Sequence, residues 1–164
     1  MRRAVRVLPS GSWRPSDAVA AVTLAHDDRH RRRISLTDDA GVPFLLDLPE
    51  AARLADGDGL ALDDGGVLRV VAAAEDVADV RCDDPRDLIR VAWHLGNRHL
   101  PVQLLDGTGV TVLRIQWDHV IAAMLVGLGA KVERRRAPFQ PEGGAYAHGH
   151  RHAHGHGHDD DRHH

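Results

Sequence analysis

The strongest constraint on how this chain can fold is its punctuation. Through the first half, short apolar runs alternate with clusters that tolerate positive φ: Asp39-Ala40-Gly41, Asp56-Gly57-Asp58-Gly59 and Asp63-Asp64-Gly65-Gly66. Clusters of this kind turn a chain tightly and favour hairpins. The runs they separate are Ala4–Leu8, Val19–Leu24, Ile34–Thr37, Phe44–Leu48, Leu60–Leu62 and Val67–Val71. Closely spaced strands with such turns predict a small β-rich domain over residues 1–74. Pro43 and Pro49 bracket one strand, and because proline cannot donate to a ladder they predict that it lies near a sheet edge.

The texture changes near Glu75. Val77–Cys82 alternates like a strand, and Asp84-Pro85 then opens a helix, with Asp84 as N-cap and Pro85 at the first helical position. Leu88, Val91, Ala92 and Leu95 fall at i, i+3, i+4 and i+7, one apolar face, and Gly96 is the expected stop. Val102–Leu105 and Val110–Ile115 read as strands joined through Asp106-Gly107-Thr108-Gly109. Asp118 is placed to cap a second helix whose apolar face is Val120, Ile121, Met124, Leu125 and Leu128, with Gly129 ending it, and Lys131–Arg135 reads as a last strand. The order βαββαβ over residues 75–140 is the ferredoxin-like split βαβ plan, giving an α+β protein overall.

Residues 141–164 lose this character. Pro141-Glu142-Gly143-Gly144 breaks regular structure, and from His148 the chain is nearly all His, Gly, Asp and Arg. Such a segment buries too little apolar area to offset its ordering entropy, so a disordered tail is expected. It holds the densest chemical signal in the sequence. His148, His150, His152, His154, His156 and His158 alternate with small or charged residues, and His163 and His164 end the chain. Neutral imidazole ligates Ni(II), and it suits Zn(II) and Cu(II) in the same sites. Small spacers let several imidazoles converge on one ion. A purification tag is usually an unbroken histidine run; this one is interrupted and passes through Asp159-Asp160-Asp161-Arg162.

Composition removes several alternatives. The net charge is −3, and the Arg-rich run His30-Arg31-Arg32-Arg33 is short and flanked by Asp27, Asp28, Asp38 and Asp39, so it reads as a solvated strand end rather than a nucleic-acid arm. Cys82 is the single cysteine, so no disulfide can form within the chain, as suits a reducing cytoplasm. The apolar stretch Ala4–Leu8 is short and interrupted by Arg6, so it does not read as a signal peptide. No apolar run approaches the ~20 residues that span a bilayer. A cytoplasmic protein without nucleic-acid or membrane partners is the expectation.

Three histidines fall in the second half ahead of the tail. His94, on the last turn of the first helix, reads as a partner of the helix dipole. His99 lies just past that helix, and His119 begins the second helix beside Asp118. One histidine makes a poor metal site, but a two-fold axis doubles whatever stands beside it.

The segments around these histidines carry a resemblance. His94-Leu95-Gly96-Asn97-Arg98-His99-Leu100-Pro101-Val102-Gln103, then Asp118-His119-Val120 with Met124-Leu125, then Phe139-Gln140-Pro141-Glu142-Gly143-Gly144-Ala145-Tyr146, resemble the UreE family of urease accessory nickel chaperones in order and spacing. The resemblance covers the second half closely and the first half only in its β-rich character. It implies a homodimer joined through the ferredoxin-like domain, with His99 binding nickel at the dimer interface and His119 near additional metal sites. It also implies delivery to apo-urease together with accessory proteins that include a GTPase. Some members carry a histidine two positions before the second of these, where this chain has Trp117. A histidine-rich metal storage or detoxification protein is the competing reading. A metallohydrolase using His94, His99, His119 and Asp118 is a third, but neither a HExxH pattern nor a cysteine pair supports it.

Overall fold

A computed structural model of the chain describes residues 1–107 and 109–144. The turns of the first half fold six strands: β1 Arg2–Leu8, β2 Ala18–Leu24, β3 His30–Thr37, β4 Pro43–Arg53, β5 Gly59–Leu62 and β6 Val67–Ala72. They make one sheet in the order β2-β6-β5-β1-β4-β3. β1 runs parallel to β4 and β2 to β6, and the other neighbours are antiparallel. Alternation along β4 sends Phe44, Leu46 and Leu48 inward, where they join Ala4, Val22, Leu60 and Leu68 in a core that is almost wholly aliphatic.

The prolines do not put β4 at the edge. It lies between β1 and β3, and β3 is outermost. Pro43 is the first residue of the strand, while Pro49 falls where the register against β3 jumps from Arg33↔Asp47 to Arg31↔Ala52. A register irregularity removes the demand for a ladder N–H, so an inner strand accepts the proline. The true edge opens with His30-Arg31-Arg32-Arg33, and charge on an edge strand discourages further strands from adding to it.

The second half holds β7 Ala74–Arg81, α1 Pro85–Asn97, β8 Gln103–Asp106, β9 Thr111–Gln116, α2 His119–Gly127 and β10 Lys131–Pro138. Its sheet has the order β10-β7-β9-β8, every neighbour antiparallel. Both helices start where the sequence predicts. The Asp84 carboxylate accepts from Arg86 N at 2.8 Å, and that of Asp118 from Val120 N and Ile121 N at 2.8 and 3.0 Å. Val91 and Leu95 of α1 and Leu125 of α2 are fully buried against Ala78, Val80, Leu113 and Ile115 of the sheet. The stop of α1 differs from expectation. Gly96 stays inside the helix, and the residue that turns left-handed is His99, at φ 55°.

An ion cluster is built on Asp79, in the middle of the second sheet. Arg114 of β9 donates to its carboxylate at 2.7 and 3.0 Å, and Arg135 of β10 at 3.3 Å. Burial pushes the Asp79 carboxyl up, but the Arg114 hydrogen bonds and the two guanidinium charges outweigh it and hold the group below its ordinary value. Beyond β10, buried Phe139 meets the first half: its ring lies edge-on to His26 at 5.2 Å, and its carbonyl accepts from Arg29. Gln140 accepts from Asp56 N at 2.8 Å and donates its own N–H to Gln103 at 2.9 Å, and Glu142 N donates to Val102 O at 2.8 Å. Among the described residues no helix is long and apolar enough to cross a membrane.

Candidate metal centre

The C-terminus of α1 determines where His99 points. Arg98 N donates to Leu95 O at 3.2 Å, His99 N to Gly96 O at 3.0 Å and Leu100 N to Leu95 O at 3.2 Å. This is a Schellman-type cap, and its left-handed residue is ordinarily glycine, because a Cβ there crowds the following carbonyl. Among the described residues His99 is the one non-glycine with positive φ, and its side chain is exposed. Left-handed backbone at a residue with a Cβ costs about 1–2 kcal/mol. Nothing in the packing requires that cost of an exposed residue, and strain of this kind concentrates at functional positions. Half-buried Leu100 and then Pro101, which is exposed, follow directly, so the imidazole stands out from a backbone fixed by the cap.

His119 is exposed at the first position of α2. Asp118, just before it, is engaged as the cap. Hydrogen bonds from Ile121 N and Val120 N, helped by the neighbouring His119, hold its carboxyl below its ordinary value. Leu100 and Pro101, which follow His99, and Trp117 and Asp118, which precede His119, line one cavity of about 210 Å³. The flanks of the two histidines therefore converge. The histidines themselves do not form a closed site: among the described residues, no three His, Cys, Asp or Glu side chains are grouped so as to hold a metal. Trp117 is already engaged. Arg134 lies 4.6 Å over its ring and is held there by a bidentate pair with Asp76 at 2.9 and 2.7 Å. His94 is half-buried on the last turn of α1, with Nδ1 3.4 Å from Arg98 Nη1 and its ring edge-on to Trp93 at 5.0 Å. That setting agrees with its reading as a helix-end histidine.

His148, His150, His152, His154, His156, His158, His163 and His164 lie outside the described residues. The described chain that precedes them is anchored by the Glu142–Val102 hydrogen bond, and Val102 is three residues from His99 in sequence. The sequence reading missed a further feature. Ile89 and Trp93, one turn apart on α1, are 70% and 63% exposed on the side away from Val91 and Leu95. Their i, i+4 spacing was a signal that the inward stripe overshadowed.

The fold and site define a protein of two β-rich halves that presents histidine at an exposed, strained turn. Comparison with known proteins shows which one it resembles. Residues 3–73 match the model of the UreE urease accessory protein N-terminal domain, and residues 75–164 that of the C-terminal domain. Urease accessory protein UreE of Bradyrhizobium sp. (strain ORS 278) is 53% identical over 147 residues, 90% of this chain and 68% of that one. The proteins of that name from Rhodopseudomonas palustris (strain HaA2) and Beijerinckia indica are 51% and 49% identical over 147 residues, again 90% of this chain and 66% and 82% of theirs. The chain spans about two thirds of the length of the first of these relatives. These matches place it among urease accessory proteins, with a role in urease maturation. Within that class it belongs to the UreE family.

Proposed function

We propose that this protein is a nickel metallochaperone, working as a homodimer in the cytoplasm, that carries Ni(II) on histidines and delivers it to apo-urease. It performs no catalysis of its own. The observation that carries the reading is His99, an exposed imidazole kept at a backbone position that disfavours any side chain. One imidazole cannot retain an ion, but two related by a dimer axis begin a site. Support for the axis comes from α1, whose exposed Ile89 and Trp93 accompany a shallow groove of about 340 Å³ lined by Ala92, Gly96, Leu100 and Leu104 beside His99. An apolar patch of this kind is the usual mark of an interface.

The two His99 side chains leave the shell open, and an open shell lets a recipient replace ligands one at a time. The tail histidines His148 to His164 add ligands and capacity. His148 is six positions beyond Glu142, and an extended chain reaches about 20 Å over that length, enough to approach His99 from the Val102 anchor. His119, next in sequence to Asp118 of the 210 Å³ cavity's lining, is an additional ligand. Zn(II) and Cu(II) compete for the same imidazoles, and the partners are urease and its accessory proteins, including a GTPase. In this reading residues 1–74 and 75–140 are separate domains, the second on the ferredoxin-like plan that its strand order supports, and residues 141–164 are a metal-binding tail, in whose described part, 141–144, Glu142 is tied to Val102.

Nickel titration of the full chain and of a chain ending at Tyr146, each with and without His99→Ala, tests this. The shortened chain should keep one tight Ni(II) per dimer and lose it on His99→Ala. A shortened chain that binds no nickel would instead make this a storage protein whose tail does everything.

A further inference from the structure

A second constellation lies away from His99, where the first half meets the end of β10. His26, Arg29, His30 and Arg53 line a cavity of about 100 Å³, closed on one side by Gln140 and Pro141, and no carboxylate is among the lining residues. We propose that this cavity binds a small oxyanion of the phosphate or carboxylate type, held by the guanidinium groups of Arg53 and Arg29 and the imidazole of His30, with His26 orienting Arg53.

The lining excludes the obvious alternative, a metal. His26 Nδ1 is 3.0 Å from the Asp27 carboxylate, and His26 Nε2 is 3.5 Å from Arg53 Nη1. A guanidinium only donates and a carboxylate only accepts, so both ring nitrogens already face a partner and neither is free for a metal. A divalent cation there would displace Arg53 and meet its charge. Two guanidinium groups around so small a space repel each other unless an anion lies between them, and arginine matches the planar fork of an oxyanion. Arg29 is 3% exposed. It donates to the carbonyls of Leu54 and Phe139, but its Nε has no hydrogen-bond partner. Burial pushes this guanidinium below its ordinary value against the pull of Glu75 and Asp56, so its charge is held at a cost. Asp27 and Glu75 stand outside the lining, where they hold the His26 ring and backbone N–H respectively, and Asp56 caps Ala72 N.

The test is calorimetric titration of the metal-free full chain at fixed ionic strength. Inorganic phosphate probes a free ion, and N-acetyl-aspartate amide probes a carboxylate borne on a peptide. Saturable binding of either at one per chain is expected, and the tighter of the two identifies the source. Arg53→Gln removes an exposed side chain, so the fold should survive, and binding should weaken by about tenfold or more, the effect of one lost charge-assisted hydrogen bond. Arg32→Gln, on the edge strand outside the cavity, should leave it unchanged. Absence of saturable binding by both probes, or equal weakening by the two substitutions, would overturn the proposal in favour of diffuse attraction to the surface.

Discussion

At the scale of single residues, His99 separates stability from function in a measurable way. The left-handed position that closes α1 would be filled best by glycine. His99→Gly should therefore be more stable than His99→Ala by about 1 kcal/mol in denaturant unfolding, since both remove the imidazole and only one keeps a Cβ. Both should lose the tight nickel site. Equal stabilities would mean that the backbone strain assigned to His99 is not there. This was the least legible part of the sequence. Gly96 looked like the stop because glycine usually is, whereas the chain carries the helix through to Asn97 and turns on a histidine. A local propensity rule failed at the residue proposed as the ligand, which is where functional demands override local preference.

At the scale of elements, α1 has two apolar faces with different duties. The inward stripe of Leu88, Val91 and Leu95 was readable because burial imposes a period on the sequence. The outward pair, Ile89 and Trp93, was not, because nothing within one chain requires it to be apolar. If it is the dimer face, Trp93→Glu should give a folded monomer in sedimentation and abolish the tight nickel site although His99 is intact. A dimer that persists would move the axis elsewhere. β4 shows the same limit: its prolines mark local pairing defects, and strand order is decided by long-range partners that composition does not reveal. The ion cluster joining β7, β9 and β10 was equally hidden, since Asp79 reads as an ordinary polar residue of an alternating strand. Its loss should be costly. Asp79→Ala leaves the Arg114 guanidinium nearly buried without its bidentate partner, and breaking a buried pair in this way destabilises by about 3–5 kcal/mol. Chemical denaturation measures this, and a change below about 1 kcal/mol, the value of a surface pair, would mean that water screens the cluster.

At the scale of the whole molecule, nickel binding and folding should respond to acid in different ranges. The carboxyls of Asp47, Asp76, Asp79 and Asp118 all lie below their ordinary value in the folded chain, held down by arginine or by helix N–H groups. A carboxyl depressed on folding stabilises the fold above its unfolded pKa, and that contribution disappears as pH falls through the lower folded value. With an unfolded aspartate near pKa 3.9, the fold should hold down to about pH 4 and weaken below it. The proposed metal ligands are all imidazoles, which as a class protonate near pH 6.5, and each added histidine brings another proton into competition with the ion. Nickel should therefore leave increasingly steeply as pH falls through about 6, from a protein that is still folded. Circular dichroism and equilibrium dialysis on the same samples, in a non-coordinating buffer, would follow the two events together. Nickel retained down to about pH 4 would make carboxylates such as Asp118 or Asp159–Asp161 the principal ligands in place of the histidines. Metal loss that coincides with unfolding would mean that the site exists only through the fold's own acid stability, and that an open histidine site and a carboxylate-stabilised scaffold are not separable.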